Sequence, residues 1–372
     1  MNDQISCPLC QSLTSNLYEH CEECGAPLIL GQQLGNYFMI DCLGGGGAGA
    51  VYHARCLDTG DDVAVKLLRY EPLQKLKTRA RFLREVQLTS RLQHPNIVEI
   101  SNYGHDDFFG PYMVMEYLDG APLSQILGRG VPLPWPFALH IAISICDTMD
   151  YAHRERVIHR DLKPANLFVL RSRSEEMPKI KIVDFGIAKS VEDDLVSMTQ
   201  SGSLLGTPIY MSPEQVRRTK ASQSSDLYTL GIVLFQMLTG SLPFTGKSAM
   251  AVLMKRLTDR PPILSELMPV FRQTCLEETL AVSLQREPQY RWRSMAEMGD
   301  RLRIAMAELQ QMSLDGQLIQ VEEVGSSTEG NLFVSWMSGE ATVEDAPNED
   351  EPTWESESIE TSSSEHLEVS FH

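Results

Sequence analysis

Four cysteines fall within the first 24 residues, as CPLC and CEEC: Cys7, Cys10, Cys21 and Cys24. Their C-x2-C-x10-C-x2-C spacing makes two tight knuckles that can set four thiolates tetrahedrally around a zinc ion. Each CxxC alone also reads as a redox pair, but redox motifs come singly within a βαβ fold, and this pair has only a few dozen residues around it. A structural Zn2+ is the expectation, in a ribbon-like module over residues 1–30 that needs its metal to fold and whose chelation should leave the rest intact. Cys42, Cys56, Cys146 and Cys275 are scattered singly, which is unlike a disulfide framework and fits a reducing compartment.

A second group of residues suits phosphate. The segment LGGGGAGAV, Leu43 to Val51, supplies Gly44, Gly46 and Gly49 at G-x-G-x-x-G spacing, so its backbone can approach an anion without side-chain obstruction. Alone, it reads equally as a glycine hairpin or as a Rossmann turn opening a helix. A strand run follows instead of a helix, and Lys66 ends the apolar run Val63-Ala64-Val65, fifteen residues past Val51. Further on come HRDLKPAN, His159 to Asn166, and DFG at Asp184, Phe185 and Gly186. Singly, Lys66 would be an edge-strand lysine and each Asp or Asn a turn former.

Jointly these segments resemble the eukaryotic-like (Hanks-type) serine/threonine protein kinases of bacteria, over roughly 270 residues. The resemblance implies ATP and Mg2+ (or Mn2+) as cofactors and the γ-phosphoryl group as the transferred unit. It makes Asp161 the group that orients the acceptor hydroxyl and takes its proton, and Lys163 the cation that offsets charge on the phosphoryl group. A lysine at that position points to Ser/Thr acceptors. Asn166 and Asp184 become the oxygen ligands of Mg2+, a hard cation. The nucleotide lid is Leu43, Gly44, Gly45, Gly46, Gly47, Ala48, Gly49, Ala50 and Val51, with Ala64 in the pocket and Lys66 on the α/β-phosphates, held by an ion pair to Glu85. In PYMVMEYLDG, the backbone from Glu116 to Leu118 would meet adenine, and Met115 would line the pocket behind it.

Between DFG and Ser212-Pro213-Glu214 lies a long polar stretch with several hydroxyls, suited to control by phosphorylation at Thr199 and Ser201. Arg160 precedes Asp161, so a phosphate of about −1.5 to −2 charge could pair with its guanidinium and order the loop. The resemblance further implies that Thr207 contacts Asp161 and Lys163, that Glu214 pairs with Arg291, and that Asp226 anchors the catalytic-loop backbone. Ala48, with Gly45 and Gly47, predicts a mobile lid. Thr89 and Phe168 stand where the family commonly has aliphatic residues, so activity should depend on a partner or on phosphorylation.

The elements that must position these groups follow a simple division. From Tyr37 to Tyr117, β-branched and aromatic runs (YFMIDCL, AVYHARC, DVAVKLL, PYMVMEY) read as strands around one helical stretch, ARFLREVQLTSRL. Beyond Leu123 the period becomes helical, as in PFALHIAISICDTMDYAH, with short strands near Leu167 to Leu170 and Ile180 to Val183. The expected fold class is α+β: a bilobal kinase domain at 37–309, with a small β-rich N-lobe at 37–116, a hinge at 117–121 and a larger α-helical C-lobe at 122–309. A zinc ribbon precedes it, and a disordered acidic tail at 315–372 follows.

Residues 315–372 hold fifteen Asp or Glu and no Lys or Arg, so they carry −15 of the net −18. Such a segment cannot bury enough apolar surface to offset ordering. It reads as an inert solubiliser or a docking segment through Leu332 to Met337 ahead of an autoinhibitor. The longest apolar run, Leu227 to Leu238, falls short of the roughly 20 residues a membrane span needs, and the N-terminal residues do not read as a secretory signal. A cytoplasmic protein without membrane association is expected. Residues 1–30 contain no Lys or Arg, which disfavours nucleic acid as partner. Protein substrates are the expected partners in signal transduction, with a homodimer for trans-autophosphorylation also admitted. The rival readings are a pseudokinase scaffold that binds ATP and partners without catalysis, and a small-molecule kinase of related fold.

Overall fold

The computed structural model describes residues 4–15, 20–46, 49–68, 86–87, 89–128, 130–171, 177–185 and 208–315. Strand alternation builds the first lobe. After a short antiparallel pair, β1 (Gln4–Ser6) with β2 (Leu13–Ser15), come β3 (Gln33–Leu34), β4 (Tyr37–Gly46), β5 (Gly49–Cys56), β6 (Asp62–Leu68), β7 (Ile100–Asp106) and β8 (Gly110–Glu116). The last six form one sheet in the order β3-β4-β5-β6-β8-β7, antiparallel throughout. On β4, Tyr37 and Met39 are buried while Phe38 and Ile40 face water, the period of a half-buried strand. β6 differs: Ala64 through Leu68 are all buried, because this central strand is covered on both faces.

One face of the sheet carries a core of Tyr37, Met39, Ala50, Tyr52, Ala54, Val65, Leu67, Phe109 and Val114, closed from outside by Ile29 and Leu34. The other face gathers Ala64, Leu68, Val86, Val98, Met113 and Met115, with Val51, Leu118 and Val183 against them. Residues 27–34 therefore form no free linker. Ile29 and Leu34 are buried to 0% and 1% exposure, and the Tyr52 hydroxyl donates to the Pro27 carbonyl at 2.5 Å.

The second lobe is helical. β9 (Gly120–Pro122) leads into α1 (Leu123–Leu127) and α2 (Trp135–Arg154), followed by β10 (Leu167–Leu170), β11 (Ile180–Ile182), α3 (Pro213–Val216), α4 (Gln223–Thr239), α5 (Ala249–Thr258), α6 (Leu264–Leu267), α7 (Cys275–Ser283) and α8 (Met295–Leu314). α2 has a proline in its first turn, where no N–H is needed, and buries Ala138, Ile141, Ala142, Ile145, Met149 and Ala152 at helical spacing. α4 is buried nearly all round, as a core helix should be. Ser222 and Ser225 cap its start, and Gly240 at φ 70° ends it. A Cβ at Gly240 would lie 2.0 Å from the Gly130 carbonyl oxygen, so only glycine fits. No described helix is long and apolar enough to cross a membrane.

The structure is thus α+β and bilobal, a β-sheet lobe followed by a helical lobe. Most of the helical stretch ARFLREVQLTSRL and the acidic residues 316–372 lie outside the described residues.

Candidate active site

α4 supplies the support of the site from below. Asp226, 1% exposed in its first turn, accepts from the His159 N–H at 3.0 Å on Oδ2 and from the Arg160 N–H at 2.9 Å on Oδ1. His153 on α2 completes the group through Nε2, 2.8 Å from Asp226 Oδ2. This carboxylate holds Arg160 at φ 64°, a left-handed conformation that costs a non-glycine residue free energy and persists only where the surroundings impose it. Gln215 on α3 adds a second brace by donating to the Arg160 carbonyl at 2.8 Å.

The braced loop turns its polar residues together. Lys163 Nζ lies 3.0 Å from Asp161 Oδ2. The Asn166 amide donates to the Asp161 carbonyl at 2.8 Å and to Oδ2 at 3.2 Å, so its own Oδ1 is the ligand atom left for a cation. Val183 donates to the Asn166 carbonyl at 2.9 Å, which brings Asp184 alongside. Asp184 also has positive φ, 55°, and its Oδ2 meets Lys66 Nζ at 2.5 Å. That pair joins β6 of one lobe to the segment after β11 of the other. Behind it, the fully buried His159 ring stands 4.8 Å from the Phe185 ring, and burial lowers its pKa, keeping the imidazole neutral.

Above this group lies the β4–β5 hairpin, in register up to Gly46 opposite Gly49, with Val51 opposite Lys66 on β6. Gly49 adopts φ 148°, and a Cβ there would fall 2.0 Å from the Leu67 carbonyl oxygen, so the position admits glycine alone. Gly47, Ala48, Glu85, Gly186, Thr199, Ser201 and Thr207 lie outside the described residues. At the back of the cleft, Ala64 pairs with Met115, and both are buried. The Glu116 carboxylate accepts from Lys181 at 2.5 Å and from the Glu99 N–H at 2.8 Å, so the side chain ties the connection between lobes to β11. Leu118 packs on the cleft-side core.

A platform borders the catalytic loop. Arg291 donates to both Glu214 oxygens at 2.8 Å, and Ser225 donates to Glu214 Oε1 at 2.7 Å. Arg256, 1% exposed on α5, donates to the Met211 carbonyl at 2.6 Å and to the Ile209 carbonyl, with the Tyr228 and Phe244 rings beside its guanidinium. Sequence reasoning missed Lys181, Gln215 and Arg256. A polar or charged residue at helical or strand spacing carries the same signature whether it is buried or solvated.

The four cysteines converge. Cys7 and Cys24 sulfurs stand 3.6 Å apart, as do those of Cys10 and Cys21, and all four lie within 4.8 Å of one another. A tetrahedral site with Zn–S of about 2.3 Å needs S–S edges of about 3.8 Å, so the donor set fits zinc. Both knuckles use one geometry: Gln11 donates to the Cys7 carbonyl and Gly25 to that of Cys21, with left-handed φ of 60° and 67°. Burial pushes the Cys24 thiol up to about 12, while hydrogen bonding with Ser12 draws Cys10 down to about 6. A metal would therefore displace protons on binding.

This arrangement joins a carboxylate able to take a hydroxyl proton, an ammonium beside it, two oxygen ligands for a hard cation and a glycine hairpin for phosphate. The model of the family described as "Protein kinase domain" matches residues 37–312, which leaves the cysteine cluster outside the matched span. The chain is 38% identical over 263 residues to the serine/threonine-protein kinase pkn3 of Myxococcus xanthus, covering 70% of this chain and 48% of that protein. It is 35% identical over 272 residues to PrkC of Bacillus subtilis, covering 73% and 41%. Thus it spans about half or less of these relatives' length. Among solved structures, the Mycobacterium tuberculosis PknI kinase domain superposes with a TM-score of 0.58 at 26% identity, over 74% of this chain and 98% of that one.

Proposed function

The chain belongs to the protein kinase family, and from that membership we propose that it transfers the γ-phosphoryl group of ATP to serine or threonine hydroxyls of protein substrates in bacterial signalling. The observation that carries this reading is the Asp161, Lys163 and Asn166 cluster hung from Asp226, faced across the lobes by the Lys66–Asp184 pair.

In this reading Asp161 orients the acceptor hydroxyl and receives its proton as the new P–O bond forms, at a carboxylate already fixed by Lys163 and Asn166. Lys163 would offset charge on the transferring group, and Lys66 would be the cation for the α/β-phosphates. Asn166 Oδ1 and the Asp184 carboxylate would hold Mg2+, which neutralises and orders the phosphates when bound. The hairpin from Leu43 to Val51 would cover the phosphates, Ala64 and Met115 would line the adenine pocket, and the backbone from Glu116 to Leu118 would meet the base. Glu85 would be the lysine's partner in the active arrangement.

Cys7, Cys10, Cys21 and Cys24 hold a structural zinc in the same proposal. Thr199 and Ser201 are the proposed activating sites, with Arg160 receiving the phosphate and a second copy of the chain as the trans-acting partner. A cytoplasmic setting goes with this reading, since ATP and thiol-preserving conditions coexist there.

The test is transfer from γ-labelled ATP. Wild type should label acceptor protein, and Asp161→Asn or Lys66→Ala should lower the rate about 10²- to 10⁴-fold. Nucleotide binding without transfer by wild type would leave the scaffold reading instead.

A further inference from the structure

The cysteine module touches the proposed nucleotide lid at one side chain. Leu9 sits inside the first knuckle, between Cys7 and Cys10, half-buried against the small apolar cluster of Cys7, Cys21, Ala26 and Leu28. Its N–H donates to Cys7 Sγ at 3.4 Å, so its backbone position is tied to a metal-ligating atom. On its other side, a Cβ added to Gly45 would come 2.9 Å from Leu9 Cδ1. Gly45 pairs with Ala50 across the hairpin, next to the Gly46–Gly49 tip. The Leu9 side chain and the Gly45 backbone thus lie too close to admit even a methyl group between them. Two residues along β5 from Ala50, the Tyr52 hydroxyl fixes the module again by donating to the Pro27 carbonyl, three residues past Cys24.

We propose that Leu9 is a positioning residue of the nucleotide lid: the metal-bound knuckle presents its side chain to Gly45 and holds the hairpin in its phosphate-gripping arrangement. The inference rests on the readings of residues 43–51 as the lid and of the four cysteines as a zinc site. A run of glycines loses more backbone freedom on ordering than any other residues would. A contact that restrains the hairpin before nucleotide arrives lowers that cost and so strengthens ATP binding. Leu9 touches no reacting group, so its effect falls on nucleotide affinity and leaves the chemical step alone.

The full chain is compared as wild type, Leu9→Ala and Leu9→Met. Zinc content, melting temperature, the Kd of a fluorescent ATP analogue with Mg2+, and KM and kcat for ATP with a generic protein acceptor are measured. Leu9→Ala should keep its zinc and melting temperature, raise KM and Kd about fivefold and leave kcat within about twofold, with Leu9→Met close to wild type. Treating wild type with a zinc-selective chelator that spares Mg2+ should raise KM at least as much, because it removes the Leu9 contact together with the support at Pro27 and Ile29, and the factor by which it raises KM should be smaller in Leu9→Ala by about the fivefold that the side chain contributes. Unchanged KM and Kd in a zinc-loaded Leu9→Ala protein would overturn the proposal while leaving the kinase reading intact. So would kcat and melting temperature falling together, or chelation raising KM equally in both proteins. Failure of wild type to bind nucleotide at all would bring down the kinase reading and this inference together.

Discussion

Asp226 touches no atom of the proposed reaction, yet the site's geometry hangs from it. Its two oxygens serve two different backbone donors, His159 N–H and Arg160 N–H, while His153 approaches Oδ2. An asparagine would keep the shape but turn an amide N–H2 toward one of those donors. One donor would then be repelled inside a buried site, and the strained φ of Arg160 would relax. Misplacing Asp161 by about 1 Å is enough to cost about 100-fold in rate. Asp226→Asn should therefore lower kcat about 100-fold while the Kd for an ATP analogue, set mainly in the other lobe, stays near wild type. Equal kcat in the two proteins would remove Asp226 from this role. The roles of Asp226, Glu214 and Arg291 were legible through the resemblance to the kinase family, which implies them at these positions, and not through any local pattern of their own. Arg256 was not, since an arginine on α5 reads as solvated until Ile209 and Met211 turn their carbonyls toward it.

At the scale of elements, the Glu214–Arg291 pair joins α3 to the segment before α8. Burial works to raise the Glu214 pKa, and the bonds from Arg291 and Ser225 outweigh it, holding the carboxyl below its usual value. A depressed folded pKa adds stability above the unfolded carboxyl value of about 4.3, and that stability is lost as pH falls through the folded value. Glu214→Gln leaves Arg291 with its bonds to the Gln285, Arg286 and Ser224 carbonyls but no counter-charge. It should cost about 2–4 kcal/mol at pH 7, read from denaturant midpoints. The gap between the two proteins should narrow as the pH drops below about 4, and a gap constant with pH would show that charge is not what the pair contributes. Element types were largely readable. β4, β5, β6 and β8 announce themselves by apolar runs and α2 by helical spacing. β7, ISNYGHD, did not, because an edge strand with mostly exposed residues carries no apolar alternation.

For the molecule as a whole, the joint between the cysteine module and the sheet decides how metal loss spreads. The spacing of the cysteines alone led to a self-contained ribbon whose chelation spares the kinase lobes. No local pattern in residues 25–36 says otherwise, because burial of Ile29 and Leu34 against β4 and β5 is a long-range contact. Both complete the outer-face core around Tyr52, Val65 and Leu67. If the knuckles unfold without metal, Pro27 and Ile29 lose the support that holds them on the sheet. Exposing Ile29 removes about 1.5–3 kcal/mol when its burial is fully lost. Amide exchange in β4 and β5 should then speed up at least about tenfold after chelation, while α2 and α4, whose core lies in the other lobe, keep their protection. Exchange that rises only within residues 4–26 would restore the picture of an independent ribbon. A rise that reaches α4 would instead mean that the two lobes unfold as one cooperative unit.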